Sequence, residues 1–219
     1  DNLIFNERRQ KDSIKLFEIS DIYTSKNNEI KKTRRLSIIA SGRVANNYED
    51  FSKKISQKYL TNLFNEALPG EDFNFHQLTR ESLNTKIKNE IIASETDISN
   101  FSTDILEYKQ RAKSPNNFIQ YLPISDLPCS KRDLSFSIQD HTKCKPLQEF
   151  IFSFKDKLLK EVFIFDYYNN EKKQEIKIGF RFIFQSHDST ITDKEVDNAM
   201  SDIIKSALKL DSVSLPGLF

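Results

Sequence analysis

Residues 176–184, IKIGFRFIF, decide how the second half of the chain folds. Five apolar side chains occupy the even positions and Lys177, Gly179 and Arg181 stand between them, which is the period-two pattern of a strand with one buried face. The same alternation runs through residues 133–138, DLSFSI, and residues 161–168, EVFIFDYY, are rich in β-forming side chains. The sequence therefore predicts three strands in this half of the chain.

Two amphipathic helices accompany these strands. The first has apolar residues at helical spacing, at Leu147, Phe150, Ile151, Phe154 and Leu158. The second begins with a capping box, in which Thr192 and Glu195 cap each other's backbone N–H groups, and its apolar stripe is Val196, Met200, Ile203 and Ala207. A short strand over residues 212–215 completes a β-α-β-β-α-β order, the split βαβ arrangement of ferredoxin-like domains.

In this topology both helices cover the same face of a four-stranded antiparallel sheet, because each helix has a single apolar stripe. We call the opposite face of the sheet the open face. The first and third strands are central neighbours in such a sheet. Ser135 is therefore expected close to Lys177, Gly179 and Arg181 on the open face.

The first half of the chain shows shorter elements. Strands are predicted over residues 14–23 and 36–40 around a polar turn at 25–29. A helix is predicted over residues 51–67, and Pro69 and Gly70 end it. The remaining predicted elements are a half-buried strand at Phe73 and Phe75, a strand at 87–92 and a short helix at 101–108.

The apolar pattern lapses over residues 111–120, which contain the loop formers Pro115, Asn116 and Asn117. We therefore predict a boundary there. The sequence as a whole predicts an α+β protein with one domain over residues 1–112 and a second over residues 118–219.

The composition excludes several classes of protein. Lys and Arg number 33 against 32 Asp and Glu, so no overall field would hold nucleic acid. The 4 glycines are scattered, whereas a phosphate-binding loop needs several together. The 2 cysteines and 3 separated histidines match no disulfide framework, zinc site or hydrolase motif, and we expect reduced thiols. No apolar run reaches 18 residues, so no membrane span is predicted.

Motifs along both halves resemble one family, the bacterial phenylalanyl-tRNA synthetase beta chains. The opening of the family's C-terminal anticodon-binding domain, P-x-S-K-F-P followed by R-R-D-L-A-F, is similar to residues 121–128, YLPISDLP, and 131–136, KRDLSF. Three later motifs of that domain resemble, in order, residues 165–168, FDYY, 180–185, FRFIFQ, and 190–196, TITDKEV. In the first half, residues 16–19, LFEI, resemble the end of the family's core domain.

The resemblance implies a class II synthetase-like core without an active site, followed by a ferredoxin-like anticodon-binding domain. The implied function is to bind the anticodon region of tRNA(Phe), while the alpha subunit forms phenylalanyl-tRNA with ATP and Mg²⁺. An alpha2beta2 assembly in the cytoplasm is expected. No catalytic residue, metal or cofactor is expected in this chain, and neither a membrane nor DNA is an expected partner. A mitochondrial enzyme of this family would have a glycine-rich class II motif upstream. The scattered glycines of this chain argue against that interpretation.

The resemblance also implies that Asp166 and Tyr168 face the anticodon. RNA sequence is read on unpaired bases by stacking and by hydrogen bonds to base edges, which a phenol ring and a carboxylate can supply. The alternatives are a half-buried tyrosine and a solvated acid. Both residues share strand parity with Val162 and Ile164, which have the character of core residues. Either a bulge intervenes, or the phenylalanines between them point to the core instead.

Strand alternation adds Ser135, Lys177, Gly179 and Arg181 to the candidate anticodon-binding residues. Gly179 would let a base approach the backbone closely, or it is a tolerated gap in a strand. Arg181 would meet a phosphate or stack on a base, or it is a solvated surface side chain. Lys177 stands where the family commonly has a serine.

Charge within the second half is balanced, since residues 122–219 hold 14 Lys and Arg against 15 Asp and Glu. Any contact with RNA must therefore be local. Arg132 and Asp133 open the first strand of this half, and a structural ion pair is their expected role.

Two other functions compete with the anticodon-binding interpretation. One is a free-standing ferredoxin-like module that binds a small ligand or another protein. The other is an enzyme with an unrecognised site, which is disfavoured because no nucleophile–base pair or metal cluster can be assembled from the motifs.

Overall fold

The computed structural model describes residues 1–101 and 123–217. Along the chain, the elements are α1 (Asn2–Arg8), β1 (Ser13–Lys26), β2 (Glu29–Gly42), α2 (Gln57–Ala67), β3 (His76–Leu78), β4 (Ile91–Asp97), β5 (Ser130–Ile138), α3 (Cys144–Ser153), β6 (Leu159–Asn170), β7 (Glu175–Phe184), α4 (Asp193–Ala207) and β8 (Val213–Ser214). A 3₁₀ turn, His141–Lys143, leads into α3. Within these residues, no helix combines the length and apolar character needed to cross a membrane.

The chain forms two compact units that interleave along the sequence. The first unit consists of Asp1–Ser13, Gly42–Lys54 and Ser125–Phe219, and the second consists of Ile14–Ser41 and Ile55–Ile124. The sequence suggested consecutive domains instead, over residues 1–112 and 118–219. The predicted joint at 111–120 and all but the first residue of the predicted helix at 101–108 lie outside the described residues, so the joint stays a prediction.

The first unit is built on an antiparallel sheet in the order β6-β7-β5-β8. Both α3 and α4 pack on one face of this sheet, where their apolar stripes meet the alternating apolar residues of β5 and β7. The fully buried phenylalanines of this core are Phe136, Phe180, Phe182 and Phe184. The predicted β-α-β-β-α-β order is therefore present, and the α+β fold class is confirmed.

The two helices of the first unit differ in how well their limits were predicted. α4 begins with the predicted capping box, in which Thr192 and Glu195 each accept a hydrogen bond from the other's backbone N–H group. α3 ends at Ser153, before the predicted end at Leu158. The chain turns away because Phe154 is extended, with φ −58° and ψ 131°. The Asp156 carboxylate then accepts a hydrogen bond from the Leu158 N–H at 2.7 Å.

The second unit contains a sheet in the order β1-β2-β4-β3. β1 and β2 form a long hairpin whose two-residue turn, Asn27 and Asn28, has φ of +52° and +65°. Asparagine tolerates these positive values better than most residues, which suits the tight turn of a hairpin. The strands predicted at 14–23 and 36–40 are thus present, and each is longer than predicted.

Two expectations for the second unit were wrong. α2 begins at Gln57 rather than at residue 51, because the Ser56 side chain accepts a hydrogen bond from the Tyr59 N–H and caps the helix there. Phe73 and Phe75 do not form a strand, although both are buried. They pack against Phe64 of α2, with ring centroids 4.7 and 5.2 Å away, so their alternation reflects a local aromatic cluster.

The strand predicted at 87–92 begins later than expected. β4 starts at Ile91, where its pairing with Ser41 of β2 begins. Ile87 is buried in the turn region that precedes β4. Its side chain contributes to the core without the residue belonging to a strand.

Candidate nucleic-acid interface

A β-bulge in β6 decides which of its side chains reach the open face. The register pairs Ile164 with Phe180 and then Asp166 with Gly179, so Phe165 is an extra residue on β6. A bulge of this kind shifts the alternation by one position. Asp166 and Tyr168 therefore lie on the same face as their partners Gly179 and Lys177, away from the helices. Strand parity left two alternatives, a bulge in β6 or phenylalanines that point to the core, and the structure contains the bulge.

Asp166 and Tyr168 are both accessible on the open face. Tyr168 is 55% exposed, and the Asp166 carboxylate is also exposed. Among the described residues, neither side chain forms a hydrogen bond or an ion pair, so both groups can meet a ligand without first breaking an internal bond.

Gly179 does not offer the open backbone that its sequence position suggested. A Cβ atom on Gly179 would lie 2.9 Å from two ring atoms of Phe165 and 3.1 Å from the Cβ of Asp166. The bulge places the Phe165 ring over this position, and only glycine leaves it room. The close approach at Gly179 is therefore made by the protein's own side chain rather than by a base.

Arg181 lies on the open face, as predicted, but its guanidinium is engaged. It donates to the Asp133 carboxylate from Nε at 2.8 Å and from a terminal nitrogen at 2.7 Å, and it lies 3.6 Å from Asp12. Its side chain is only 17% exposed. The hydrogen bonds to Asp133 raise the pKa of Arg181 further above its ordinary value. Arg181 is therefore neither free to bind a phosphate nor a solvated surface side chain.

The part of the open face around Arg181 is covered by residues Gly42–Lys54, which we call the covering segment. Phe51 of this segment is buried, and its ring centroid lies 5.7 Å from that of Phe163 and 5.6 Å from that of Phe165. The Arg181 guanidinium lies 4.8 Å from the centre of the Phe51 ring. The guanidinium of Arg43 lies 3.9 Å from the same centre.

The N-terminal segment of the first unit adds polar contacts to the covered part of the open face. Lys131 of β5 donates to both carboxylate oxygens of Asp12 at 3.0 Å and to the backbone carbonyl of Gln10 at 3.0 Å. Sequence reasoning missed this cover. The available signal was the apolar pair Phe163 and Phe165, since two phenylalanines on one side of an exposed sheet require a partner.

The remaining part of the open face is uncovered and holds Ser135 and Lys177. A shallow cavity of about 350 Å³ lies here, lined by Asp133, Leu134, Ser135, Lys177, Leu215, Pro216 and Gly217. The Lys177 ammonium is 4.0 Å from the Glu175 carboxylate, a long exposed ion pair that contributes little to stability. Lys177 is therefore available for an anionic ligand.

Arg132 and Asp133 each form an ion pair, but not with each other. Arg132 contacts Asp193 at 2.8 Å and Asp197 at 3.6 Å, both in the first turns of α4. Asp133 binds Arg181. These contacts join β5 to a helix on one face and to β7 on the other, in line with the structural role expected from the sequence.

Nothing in the described part of the chain resembles a metal centre, since no three His, Cys, Asp or Glu side chains cluster there. Cys129 and Cys144 are free thiols. Burial raises the pKa of the Cys144 thiol, which disfavours the reactive thiolate.

Comparisons with known proteins agree with this architecture. Residues 125–214 match the family model of the ferredoxin-fold anticodon binding domain. Along 94% of its length, the chain is 25% identical to the chloroplastic phenylalanine--tRNA ligase beta subunit of Porphyra purpurea, of which it covers 33%. It is 22% identical to the beta subunit of Chlamydia trachomatis serovar D over 88% of the chain and 28% of that protein.

A shorter match covers less than half of the chain. It is 30% identical to the beta subunit of Bacteroides thetaiotaomicron over 46% of the chain and 13% of that protein. The chain thus spans a third or less of the length of these relatives. The resemblance inferred from the sequence motifs is confirmed.

Proposed function

We propose that this chain acts as the C-terminal part of a phenylalanyl-tRNA synthetase beta subunit and binds the anticodon region of tRNA(Phe). The observation that carries the proposal is the bulge at Phe165, which turns Asp166 and Tyr168 towards the uncovered part of the open face within the residues that match an anticodon-binding family. A carboxylate accepts hydrogen bonds from exocyclic amines, and a phenol ring stacks on an unpaired base. The two side chains together supply base-edge and base-face recognition.

The uncovered part of the open face supplies the rest of the proposed surface. Lys177 and Ser135 border the cavity beside Pro216 and Gly217, where an ammonium would meet a phosphate and a hydroxyl would meet a base edge. Arg181 and Gly179 support this surface from within, because one is bound to Asp133 and the other accommodates the Phe165 ring. We therefore assign direct contact to Asp166, Tyr168, Lys177 and Ser135.

The chain has no catalytic role in this proposal. The alpha subunit is its partner, in an alpha2beta2 assembly of the cytoplasm, and ATP and Mg²⁺ bind at the alpha active site. The net charge of the whole chain is +1, so this surface orients the anticodon and much of the affinity for tRNA comes from elsewhere in the assembly. A pyrophosphate-exchange assay on the isolated chain should detect no phenylalanine-dependent activity above background.

The test uses the complete alpha–beta enzyme and two transcripts, tRNA(Phe) and the same tRNA with a changed anticodon. Asp166→Ala and Tyr168→Ala should each lower kcat/KM for tRNA(Phe) by about tenfold, within the range for loss of one stacking or base-edge contact. The preference for the correct anticodon should shrink by a similar factor. Asp202→Ala, at an exposed position of α4, is the matched control and should change neither quantity. Unchanged anticodon preference in both variants of the proposed surface would refute the proposal.

A further inference from the structure

Tyr48 brings a second aromatic surface to β6 from outside the residues that match the family. It belongs to the covering segment, and its ring centroid lies 5.6 Å from that of Tyr167 at an interplanar angle of 45°. Tyr48 is 47% exposed and Tyr167 is 40% exposed. The two rings therefore contact each other and still present a large part of their surfaces to solvent.

The backbone around Tyr48 is held in place before any ligand arrives. The Asn47 side chain accepts hydrogen bonds from the N–H groups of Glu49 and Asp50, both at 3.0 Å. The Phe51 N–H donates to the Asn47 carbonyl at 2.8 Å, and the Phe51 ring is anchored in the covered part of the open face. Tyr48 thus sits on a short, fastened turn, so a ligand that stacks on it orders little new structure.

We infer that Tyr48 and Tyr167 form a second stacking platform, which binds an unpaired base next to the one that meets Asp166 and Tyr168. This inference rests on the proposed function. β6 is the edge strand of its sheet, and Tyr167 and Tyr168 are neighbours that the strand directs to opposite sides. An RNA strand that leaves the open face at Tyr168 and passes over this edge meets the Tyr48–Tyr167 pair.

Charge near the platform favours a base over a phosphate as the group that contacts Tyr48. Glu49 is exposed beside it, and its carboxylate would repel a phosphate. The exposed Lys172 and Lys173 lie farther along, in the turn between β6 and β7, where they can meet the RNA backbone. Base stacking on aromatic rings tolerates any base, so the platform adds affinity with little sequence preference.

The test compares four variants of the complete alpha–beta enzyme, Tyr48→Ala, Tyr48→Phe, Tyr48→Leu and Tyr168→Ala, by kcat/KM for tRNA(Phe). Tyr48→Ala should lower kcat/KM by about fivefold or more, the lower end of the range for one stacked base. Tyr48→Phe should stay close to the parent enzyme because it keeps the ring, whereas Tyr48→Leu fills similar volume without an aromatic face and should lose as much as Tyr48→Ala. The loss should be equal for the transcript with a changed anticodon.

Phe152→Ala is the matched control. Phe152 is also 47% exposed, lies on α3 and contacts one ring, that of Phe180, at 6.1 Å, so it matches Tyr48 in exposed fraction and in having one aromatic neighbour, but lies on the helix side of the sheet. It should leave kcat/KM for tRNA unchanged. Phenylalanine-dependent pyrophosphate exchange should be normal in all variants, since it does not require tRNA.

The outcomes separate the two proposals. If Tyr168→Ala lowers kcat/KM and all Tyr48 variants match the parent, the platform is wrong and the proposed function stands. If Tyr48→Phe loses as much as Tyr48→Ala, the hydroxyl rather than the ring makes the contact, and stacking is refuted. If neither Tyr168→Ala nor Asp166→Ala changes anticodon preference, the proposed function fails, and the platform falls with it.

Discussion

Arg181 and Asp133 face each other across β7 and β5 as a directly paired couple in the register. Two parallel hydrogen bonds of 2.8 and 2.7 Å join the guanidinium to the carboxylate, which is the two-point geometry that suits arginine best. The same guanidinium lies 3.6 Å from Asp12 and over the Phe51 ring. It therefore joins three stretches of the first unit that are far apart in sequence.

Arg181→Ala should lower the free energy of unfolding of the first unit by about 1–2 kcal/mol, because it removes two charged hydrogen bonds made by a side chain that is only 17% exposed. Urea unfolding measures this change. Arg181→Lys should recover only part of the loss, since an ammonium cannot reproduce the two-point contact. If Arg181→Ala left the stability unchanged and made the salt dependence of tRNA binding flatter, the structural assignment would be wrong. Arg181 would then be an RNA-binding residue.

Gly179 and Phe165 should be energetically coupled. Gly179→Ala places a methyl group 2.9 Å from the Phe165 ring, so the ring or the strand must move, at a cost of about 1–3 kcal/mol. In a Phe165→Ala background the two closest contacts are gone and only the Asp166 Cβ remains near, at 3.1 Å, so the same substitution should cost less. A double-mutant cycle by urea unfolding measures the coupling. Ser135→Ala, on the same face but exposed, is the control and should be nearly neutral.

The sequence predicted the first unit's core and strand order well, because the strict alternation in residues 176–184 and the capping box at Thr192 are local signals. It could not choose the face of Asp166, since a bulge is set by how β6 pairs with β7. It also placed Phe51 in a helix, because its spacing fits the α2 stripe. The contacts of Phe51 with Phe163 and Phe165 are long-range, and no local pattern records them.

Asp21 gives the second unit a pH dependence at the acid end. Hydrogen bonds from Arg34 and then Lys32 lower the pKa of Asp21 from 3.8 to about 2. A carboxylate whose pKa is lower in the folded state stabilises the fold above its unfolded pKa, and the contribution disappears as the pH falls from about 4 towards 2. Asp21→Asn should therefore reduce stability at neutral pH and flatten the stability–pH curve in that window. The site is exposed, so salt should weaken the effect, and a curve identical to the parent's would contradict this origin.

The last prediction concerns a chain shortened to residues 125–219, which retains the sheet and both helices but loses Asp12 and Phe51. Phe163 and Phe165 then have no cover, and an exposed apolar patch on an open sheet favours association. The shortened chain should bind a hydrophobic dye and elute from gel filtration as more than a monomer at concentrations where the parent does not.

The matched control replaces Phe163 and Phe165 by Thr in the shortened chain, which keeps strand-forming side chains and removes the apolar patch. It should be monomeric and bind little dye, whereas Phe51→Ala in the complete chain should bind an intermediate amount. If the shortened chain were monomeric and as stable as the parent, residues 1–13 and 42–54 would contribute nothing to the stability of the sheet. The predicted behaviour would mean that they complete the domain, because without them the strand that carries Asp166 and Tyr168 has no partner for its two phenylalanines.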